Sequence, residues 1–240
     1  MTQDLFRDDA GLLECTARLL RVDERGLLLD RTVFYPQGGG QAGDAGEVVL
    51  ADGRTIAIAD TRKGEGLEIL HLPAAGQSLE GLAPGQELRL RIDAQRRRAH
   101  MRLHTATHLL CALVPHPVDG CSITAGYARL DFHMSEPLDK EALTAGLARL
   151  VAEARPVRLR WITDAELDAN PGLVRSMSVQ PPRGSGRVRL VEIEGLDLQP
   201  CGGTHVSNTA DIGAVVVTKI EKKSAMTRRV VLGFAQPGDA

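Results

Sequence analysis

Two pairs of potential metal ligands lie far apart in this sequence, in His104-Thr-Ala-Thr-His108 and in Cys201-Gly-Gly-Thr-His205. The residues around the first pair, Ala94 to Val114, contain no proline or glycine and predict one helix, which places both imidazoles on the same face. The two glycines of the second pair predict a tight turn that points a thiol and a third imidazole inward. Two histidines with a cysteine and a histidine suit zinc best among the common metals. The fold is therefore expected to bring a helix and a loop together around one ion.

The bulk composition indicates a protein with a sizeable core and no membrane span. At 240 residues, with 43% hydrophobic and 25% charged residues, the chain is long enough for one large or two modest domains. Its four cysteines form no CxxC pair, and its polar, acidic N-terminus is followed by no long apolar run, so we predict a cytoplasmic protein. With a net charge of −2 and 3% aromatic residues, contact with nucleic acid would rest on local basic patches rather than on a row of stacking rings.

The first part of the chain, residues 1–93, is predicted to be a small β-barrel domain. Short apolar runs at regular spacing, separated by turn signals such as Asp23-Glu24-Arg25-Gly26, are typical of such a barrel. The predicted strands are Leu13–Val22, Leu27–Val33, Glu47–Leu50, Arg54–Ala59, Leu67–Leu72 and Glu87–Asp93. Between two of them lies the glycine-rich segment Phe34–Gln41, interpreted either as a flexible loop or as a loop whose backbone approaches a ligand closely, with Gln41 presenting its amide.

The pattern changes from period two to helical at Asp93–Ala94, and residues 94–240 are predicted to form a second, metal-binding domain. Strands mixed with packing helices, rather than repeating βαβ units, predict an α+β fold in two layers. After the histidine helix, the predicted elements are strand Ala128–Met134, helix Leu138–Ala154, strand Pro156–Ile162, a short helical turn Asp164–Ala169, and strands Arg187–Ile193, Ile212–Ile220 and Arg228–Phe234.

Other histidines and cysteines have less direct predicted roles. His100 lies one turn before His104 and is interpreted as a surface histidine, with a ligand, a proton donor or a phosphate contact as alternatives. Cys111 and Cys121 have no spaced partner and are predicted to be small buried hydrophobes. The segment from His104 to His108 lacks the glutamate of the HExxH pattern, so peptidase activity is not predicted.

Taken together, these motifs resemble the editing domain of alanyl-tRNA synthetase and the free-standing AlaX family of alanyl-tRNA editing proteins. The resemblance rests on four motifs that extend over nearly the whole chain. They are Arg102-Leu-His104-Thr-Ala-Thr-His108-Leu-Leu, Arg129-Leu-Asp131-Phe132, Cys201-Gly-Gly-Thr-His205-Val206 with Ile212-Gly213, and the glycine-rich Phe34–Gln41. The editing domain of threonyl-tRNA synthetase has a similar pairing of histidine and cysteine motifs.

The resemblance implies a zinc-dependent deacylase that acts in trans on mischarged alanine tRNA, chiefly seryl and also glycyl, with no nucleotide cofactor. The implied metal ligands are His104, His108, Cys201 and His205. Four protein ligands usually close a zinc site, whereas catalysis needs an open position, so catalytic and organising roles for the ion both stay open. The alternatives are a non-catalytic RNA-binding module with a structural zinc, and an unrelated metallohydrolase of small esters.

Selection of serine over alanine requires a polar pocket, because an apolar one discriminates poorly against an added hydroxyl. Thr105 and Gln41 are the predicted catalytic residues for this task, with Thr107 as an alternative to Thr105. Two basic clusters, one at Arg96 to Arg102 and one at Lys222 to Arg229, are candidates for the phosphates of the acceptor stem. The residues assigned to tRNA binding are Arg97, Arg98, Arg102, Lys222, Lys223, Arg228 and Arg229.

Overall fold

The computed structural model describes residues 2–174 and 186–236. The chain divides into two compact units, one formed by Met1–Gly38 with Ala42–Arg98 and the other by Gly39–Gln41 with Ala99–Ala240. The predicted domain boundary between residues 93 and 94 stays a prediction. Within the predicted second domain, residues 175–185 and 237–240 lie outside the described part.

Six strands of the first unit close into a barrel in the order β2-β3-β7-β6-β5-β8, so the predicted small barrel is confirmed. Their burial alternates along the chain: in the last strand Leu88, Leu90 and Ile92 are buried, while the residues between them are exposed. Two further short strands, β1 (Gln3–Asp4) and β4 (Arg31–Thr32), pair in parallel. The barrel strands are β2 (Glu14–Asp23), β3 (Gly26–Leu29), β5 (Gly46–Val49), β6 (Thr55–Lys63), β7 (Ile69–Pro73) and β8 (Glu87–Ile92).

Helix α1 (Ala94–Leu113) begins where Asp93 accepts a hydrogen bond from the backbone N–H of Arg96, at 2.9 Å, and ends shortly before Pro115. All residues from 103 to 111 are buried, so the second half of the helix is enclosed on every side. The predicted helix is therefore found, and its histidines lie inside the protein rather than on an exposed face.

The second unit combines two antiparallel sheets with helices, which confirms the α+β fold class. A four-stranded sheet has the order β14-β15-β10-β9, and a three-stranded sheet has the order β11-β12-β13. The strands are β9 (Val118–Ile123), β10 (Tyr127–His133), β11 (Val157–Ile162), β12 (Val188–Ile193), β13 (Asp197–Pro200), β14 (Val215–Ser224) and β15 (Thr227–Phe234). The helices are α2 (Lys140–Ala152) and α3 (Asp164–Ala169), with 3₁₀ turns at Leu5–Arg7, Pro171–Leu173 and Thr209–Ile212.

Strands β9 and β13 were not predicted. Strand β9 carries polar and small residues between its buried ends, Val118 and Ile123, and β13 has only four residues, so neither has the alternating apolar pattern that marks a strand in the sequence. The core of the second unit lies between α1, α2 and the four-stranded sheet, and it includes Leu109, Phe132 and Leu147. None of the described helices combines the length and the apolar content required to cross a lipid bilayer.

Candidate metal centre

The side chains of His104, His108, Cys201 and His205 converge within the second unit. One donor atom from each can be chosen so that all four lie within 4.8 Å of one another. The Cys201 Sγ lies 3.4 Å from His104 Nε2 and 3.3 Å from His205 Nε2. Donors bound tetrahedrally to zinc are separated by about 3.3–3.7 Å, given its usual bond lengths. The two distant sequence motifs therefore come together as donors of one site.

The cysteine turn is held by the strand beside it. The backbone N–H of Cys201 donates to the carbonyl of Arg189 on β12 at 3.2 Å, which extends the pairing of β12 with β13. The buried guanidinium of Arg189 in turn donates to the carbonyls of Gly203, at 2.7 Å, and of Cys201, at 3.3 Å. The Arg189 side chain therefore supplies hydrogen bonds to two carbonyls of the tight turn that would otherwise be buried without partners.

Each of the three imidazoles is held at Nδ1 by a different buried partner. The Oε1 atom of Gln41 accepts from His104 Nδ1 at 2.8 Å. For His108, the acceptor at Nδ1 is a carboxylate oxygen of Asp197, at 2.9 Å.

The third ring, His205, has its Nδ1 3.2 Å from the Thr105 hydroxyl. Because that hydroxyl donates its own proton to the carbonyl of Met101 at 2.9 Å, it accepts from the imidazole. All three rings therefore keep Nε2 for a metal, as the histidine ligands of zinc sites usually do when a neighbour binds the other nitrogen.

Two glycines allow this close approach. A Cβ atom on Gly203 would overlap the ring of His104, so only glycine lets the turn pass beside the imidazole. Gly40, with φ of +84°, would meet the side chain and carbonyl of Cys121 if it carried a Cβ. Its carbonyl accepts from the N–H of Ile123 at 2.7 Å, and Gln41 forms a parallel bridge with the same residue. Gly40 and Gln41 are thereby attached to the edge of β9, and the Gln41 side chain is directed at His104.

The electrostatics of the site favour the metal-binding form of Cys201 and His205 and oppose that of His108. Burial would raise the pKa of the Cys201 thiol, but the surrounding imidazoles hold the pKa well below its usual value. Burial, together with the charge of His104, lowers the pKa of His205 to about 3. Burial also opposes protonation of His108, yet hydrogen bonds to Asp197 and Cys201 outweigh it and raise the pKa to about 9. A thiolate and one neutral imidazole are therefore already in place, whereas His108 has to release a proton before its Nε2 can bind a metal.

This donor set fits a divalent metal ion that accepts nitrogen and sulfur ligands. The three histidine side chains are 4–6% exposed, and Cys201 is partly buried. The Nδ1 atom of each histidine already has a hydrogen-bond partner in the protein. Among the residues that the structure describes, no second group of histidine, cysteine and carboxylate side chains of this kind is found.

The two predicted catalytic residues, Gln41 and Thr105, form hydrogen bonds with the Nδ1 atoms of the histidine ligands, on the side of each ring away from the metal-binding Nε2. Gln41 is completely buried, and besides His104 it contacts Thr204, whose N–H donates to Gln41 Oε1 at 3.0 Å while Gln41 Nε2 donates to the Thr204 hydroxyl at 3.0 Å. Thr105 donates to Met101 and accepts from His205 and from the N–H of Val206 at 3.2 Å. That hydroxyl has no hydrogen-bonding capacity left for a substrate. Both residues therefore hold ligands in position.

The first basic cluster differs from the expectation. Arg97 is completely buried, pairs with Asp44 and donates to the carbonyls of Ala10 and Val33, so the prediction that it contacts a phosphate is wrong. Arg102 donates to the carbonyl of Ile212 at 2.6 Å and lies over the ring of Phe234.

Arg98, by contrast, is exposed. It is the member of this cluster that keeps an accessible guanidinium, because the backbone and ring contacts of the others occupy theirs.

The second basic cluster lies on the hairpin of β14 and β15. Lys222 and Lys223 are exposed near its turn. Arg228 is buried and donates to backbone carbonyls that include those of Ser135 and Ser224, so it is not available to a phosphate. Arg229 makes two hydrogen bonds with the carboxylate of Asp131, at 2.7 and 2.9 Å.

Sequence reasoning missed Asp197 and Arg189, which support the site from β13 and β12. The only signal in the sequence is that Asp197 and Gln199 alternate just before Cys201, as residues on one face of a strand do. His100 is buried rather than on the surface, which corrects its assignment. Cys111 is buried as predicted, and Cys121 is partly exposed.

Comparisons with known proteins agree with the geometry. Residues 188–231 match the family described as the threonyl and alanyl tRNA synthetase second additional domain, and residues 10–96 match the class II (A) tRNA synthetases. The chain is 33% identical over 238 residues to the alanyl-tRNA editing protein AlaX-M of Methanosarcina barkeri, covering 96% of this chain and 98% of that protein. It is 32% identical over 235 residues to AlaX-M of Saccharolobus solfataricus, with the same coverage.

A longer relative has the same region. The alanine–tRNA ligase of Pyrococcus furiosus is 32% identical over 245 residues, which cover 98% of this chain but 26% of the ligase. The AlaX-M proteins, in contrast, match from end to end. On this similarity, and with both metal-ligand motifs assembled in one site, the chain belongs to the AlaX-M family of alanyl-tRNA editing proteins.

Proposed function

We propose that this protein hydrolyses the ester bond between a wrong amino acid, chiefly serine and also glycine, and the acceptor end of alanine tRNA. It acts in trans on tRNA charged elsewhere, in the cytoplasm. The observation that carries the proposal is the convergence of three imidazole Nε2 atoms with the Cys201 sulfur, each ring held at Nδ1 by the protein. The names of the relatives supply the substrate class.

Zinc is the metal that this donor set suits best, and it would be held by His104, His108, Cys201 and His205. When bound, such an ion supplies Lewis acidity that polarises an ester carbonyl. The protein's own contribution is rigidity. Gln41 and Thr105 fix two of the imidazoles, so the donor atoms need not reorganise during the reaction.

Rejection of alanine requires a polar group that is left unpaired when the substrate lacks a hydroxyl. Of the side chains considered for this role, Thr105 and Gln41 are engaged in holding ligands. The Thr107 hydroxyl donates to the carbonyl of His104 at 2.6 Å, and its lone pairs can still accept a hydrogen bond. We assign to Thr107 the acceptor for the hydroxyl of a seryl ester.

The exposed basic side chains would contact the phosphates of the acceptor stem. Arg98, Lys222 and Lys223 are the members of the two clusters whose charges lie at the surface. Their contacts would make binding sensitive to salt without selecting a sequence.

A second function has one observation in its favour. Four protein donors complete the tetrahedral shell of zinc, which is usual for structural rather than catalytic sites. The alternative is therefore an RNA-binding module in which the metal only holds α1 and the cysteine turn together.

One assay separates the two functions. The protein is incubated with alanine tRNA charged with labelled serine or labelled alanine, before and after treatment with a zinc chelator, and released amino acid is counted. The proposal expects release of serine in preference to alanine, loss of release in the chelator, and recovery with added zinc.

The Cys201→Ser variant should be inactive, while the exposed histidine variant His133→Ala serves as a matched control and should resemble the wild type. Tight binding of charged tRNA with no release of serine would establish the binding module instead.

A further inference from the structure

One face of the three-stranded sheet carries a tryptophan in the same row as the metal-binding cysteine. Trp161 on β11 pairs with Arg189 on β12, and the N–H of Cys201 donates to the Arg189 carbonyl on the other side. Directly paired residues in antiparallel strands point to the same face. Trp161, Arg189 and Cys201 therefore form one row across the sheet, and at a strand spacing of about 4.8 Å the Cα atoms at its two ends are about 10 Å apart.

The other face of this sheet is already covered. Val188 and Leu190 of β12 pack with Leu167 of helix α3 in a separate apolar cluster. These two residues alternate with Arg189 along the strand and point away from it. The row that contains Trp161 thus lies on the face shared with the metal centre.

The edge of this face at β11 is open to solvent. Trp161 is partly exposed, and Leu159, two residues before it on the same face, is 37% exposed. The guanidinium of Arg187 lies 4.5 Å from the centroid of the Trp161 ring, and Arg187 itself is exposed. Because the guanidinium lies over the ring, the stacked pair offers a nucleobase a flat surface and offers the adjoining phosphate a positive charge.

We propose that Trp161 and Arg187 form the platform on which the 3′-terminal base of the acceptor end stacks. The inference rests on the proposed function and adds to it the binding site of the terminal nucleoside. An ester on the ribose of a base stacked at Trp161 would extend along the row toward Cys201. Arg189 lies between Trp161 and Cys201 in this row, so the ester would pass over its side chain, whose guanidinium donates to the carbonyls of the cysteine turn.

Trp161 is the single tryptophan of the chain, so its fluorescence reports on this position alone. The zinc-loaded protein is titrated with an uncharged acceptor-stem minihelix that ends in CCA and with the same RNA lacking the terminal adenosine. Stacking is expected to quench the fluorescence with the CCA-ended RNA and to leave it nearly unchanged with the shortened RNA. Equal quenching by both, or binding of the CCA-ended RNA without any change in fluorescence, would overturn the proposal.

Kinetic measurements on variants test whether the terminal base stacks on Trp161. Loss of one base–aromatic stack weakens binding by about 5- to 150-fold, so Trp161→Leu should raise KM for seryl-tRNA by a factor in this range with little change in kcat. Trp161→Phe keeps a ring and should recover most of the affinity. Tyr127→Ala removes another exposed aromatic ring, on the four-stranded sheet, and is the matched control, with KM expected to stay at the wild-type value.

An unchanged KM in Trp161→Leu would refute the platform while leaving the deacylase function intact. Quenching by the CCA-ended RNA in a protein that releases no serine would support the platform while refuting the deacylase. The two proposals can therefore fail separately.

Discussion

Replacement of Asp197 by asparagine removes one negative charge from behind the metal centre while keeping the size of the side chain. Asp197 is 5% exposed, and its Oδ2 accepts from His108 Nδ1 at 2.9 Å and from Gln199 Nε2 at 2.8 Å. We expect Asp197→Asn to bind zinc more weakly than the wild type, with the fold unchanged.

The magnitude follows from the charges. A divalent ion and the Cys201 thiolate carry a net charge of +1 beside three neutral imidazoles, and the Asp197 carboxylate cancels it. The variant leaves this charge uncompensated in a buried site that also contains the guanidinium of Arg189. Loss of a partner behind a metal ligand typically lowers metal affinity by about 10- to 100-fold, or about 1.4–2.7 kcal/mol. A hydrogen bond to a charged group contributes about 1.5–3 kcal/mol, which is the same range.

The measurement is competition for zinc between the protein and a chromophoric chelator at fixed pH, with circular dichroism as a check on the fold. Asp211→Asn is the matched control, because Asp211 is an exposed carboxylate in the 3₁₀ turn that follows the cysteine motif. It should bind zinc as the wild type does. Equal zinc affinities in Asp197→Asn and Asp211→Asn would show that the Asp197 carboxylate contributes nothing to metal retention.

Three further predictions concern glycine, glutamine and histidine positions. Gly203→Ala should abolish zinc binding, because the added methyl group overlaps the His104 ring. Gly126→Ala is the control and should bind zinc, because the new Cβ meets no atom within 4 Å, and metal analysis of the two purified variants tests the difference. Gln41→Ala should lower zinc affinity by about 10-fold or more in the chelator assay, because His104 Nδ1 loses its acceptor, and an unchanged affinity would contradict the positioning role. Burial lowers the pKa of His71 from 6.5 to about 4, so the unfolded chain takes up a proton at this histidine at a higher pH than the folded protein does. The free energy of unfolding should therefore fall by up to about 3 kcal/mol as the pH drops from about 6.5 to 4. Urea unfolding at several pH values should show this loss in the wild type and a smaller one in His71→Gln; equal slopes would exclude His71 as its source.

Local signals account for the elements that sequence reasoning found. Helix α1 was predicted because a long run without proline or glycine precedes Pro115, and the barrel was predicted because its strands alternate between apolar and polar residues. Strand β9 is not predicted from the sequence because its interior residues are polar or small. It forms because it pairs with β10 on one side and contacts the segment that contains Gly40 on the other. Where the local pattern is weak, tertiary contacts determine the element.

The burial of charged residues is the property that the sequence predicts least well here. A run of arginines at the start of α1 looks the same whether its members face solvent or the interior. Arg97 is buried because Asp44, far away in the sequence, forms an ion pair with it. Arg98, the next residue, is exposed. Sequence spacing alone does not distinguish the two, because the distinction depends on what packs against each side of the helix.

The donor atoms available for a metal can be identified from the sequence, since the spacing of two histidines on a helix and of a cysteine and a histidine around two glycines is a local property. The nitrogen that each imidazole leaves for the ion, by contrast, is set by contacts between segments that are distant in the sequence. That choice depends on Gln41, Thr105 and Asp197, and hydrogen bonds formed between remote segments are set by the fold as a whole.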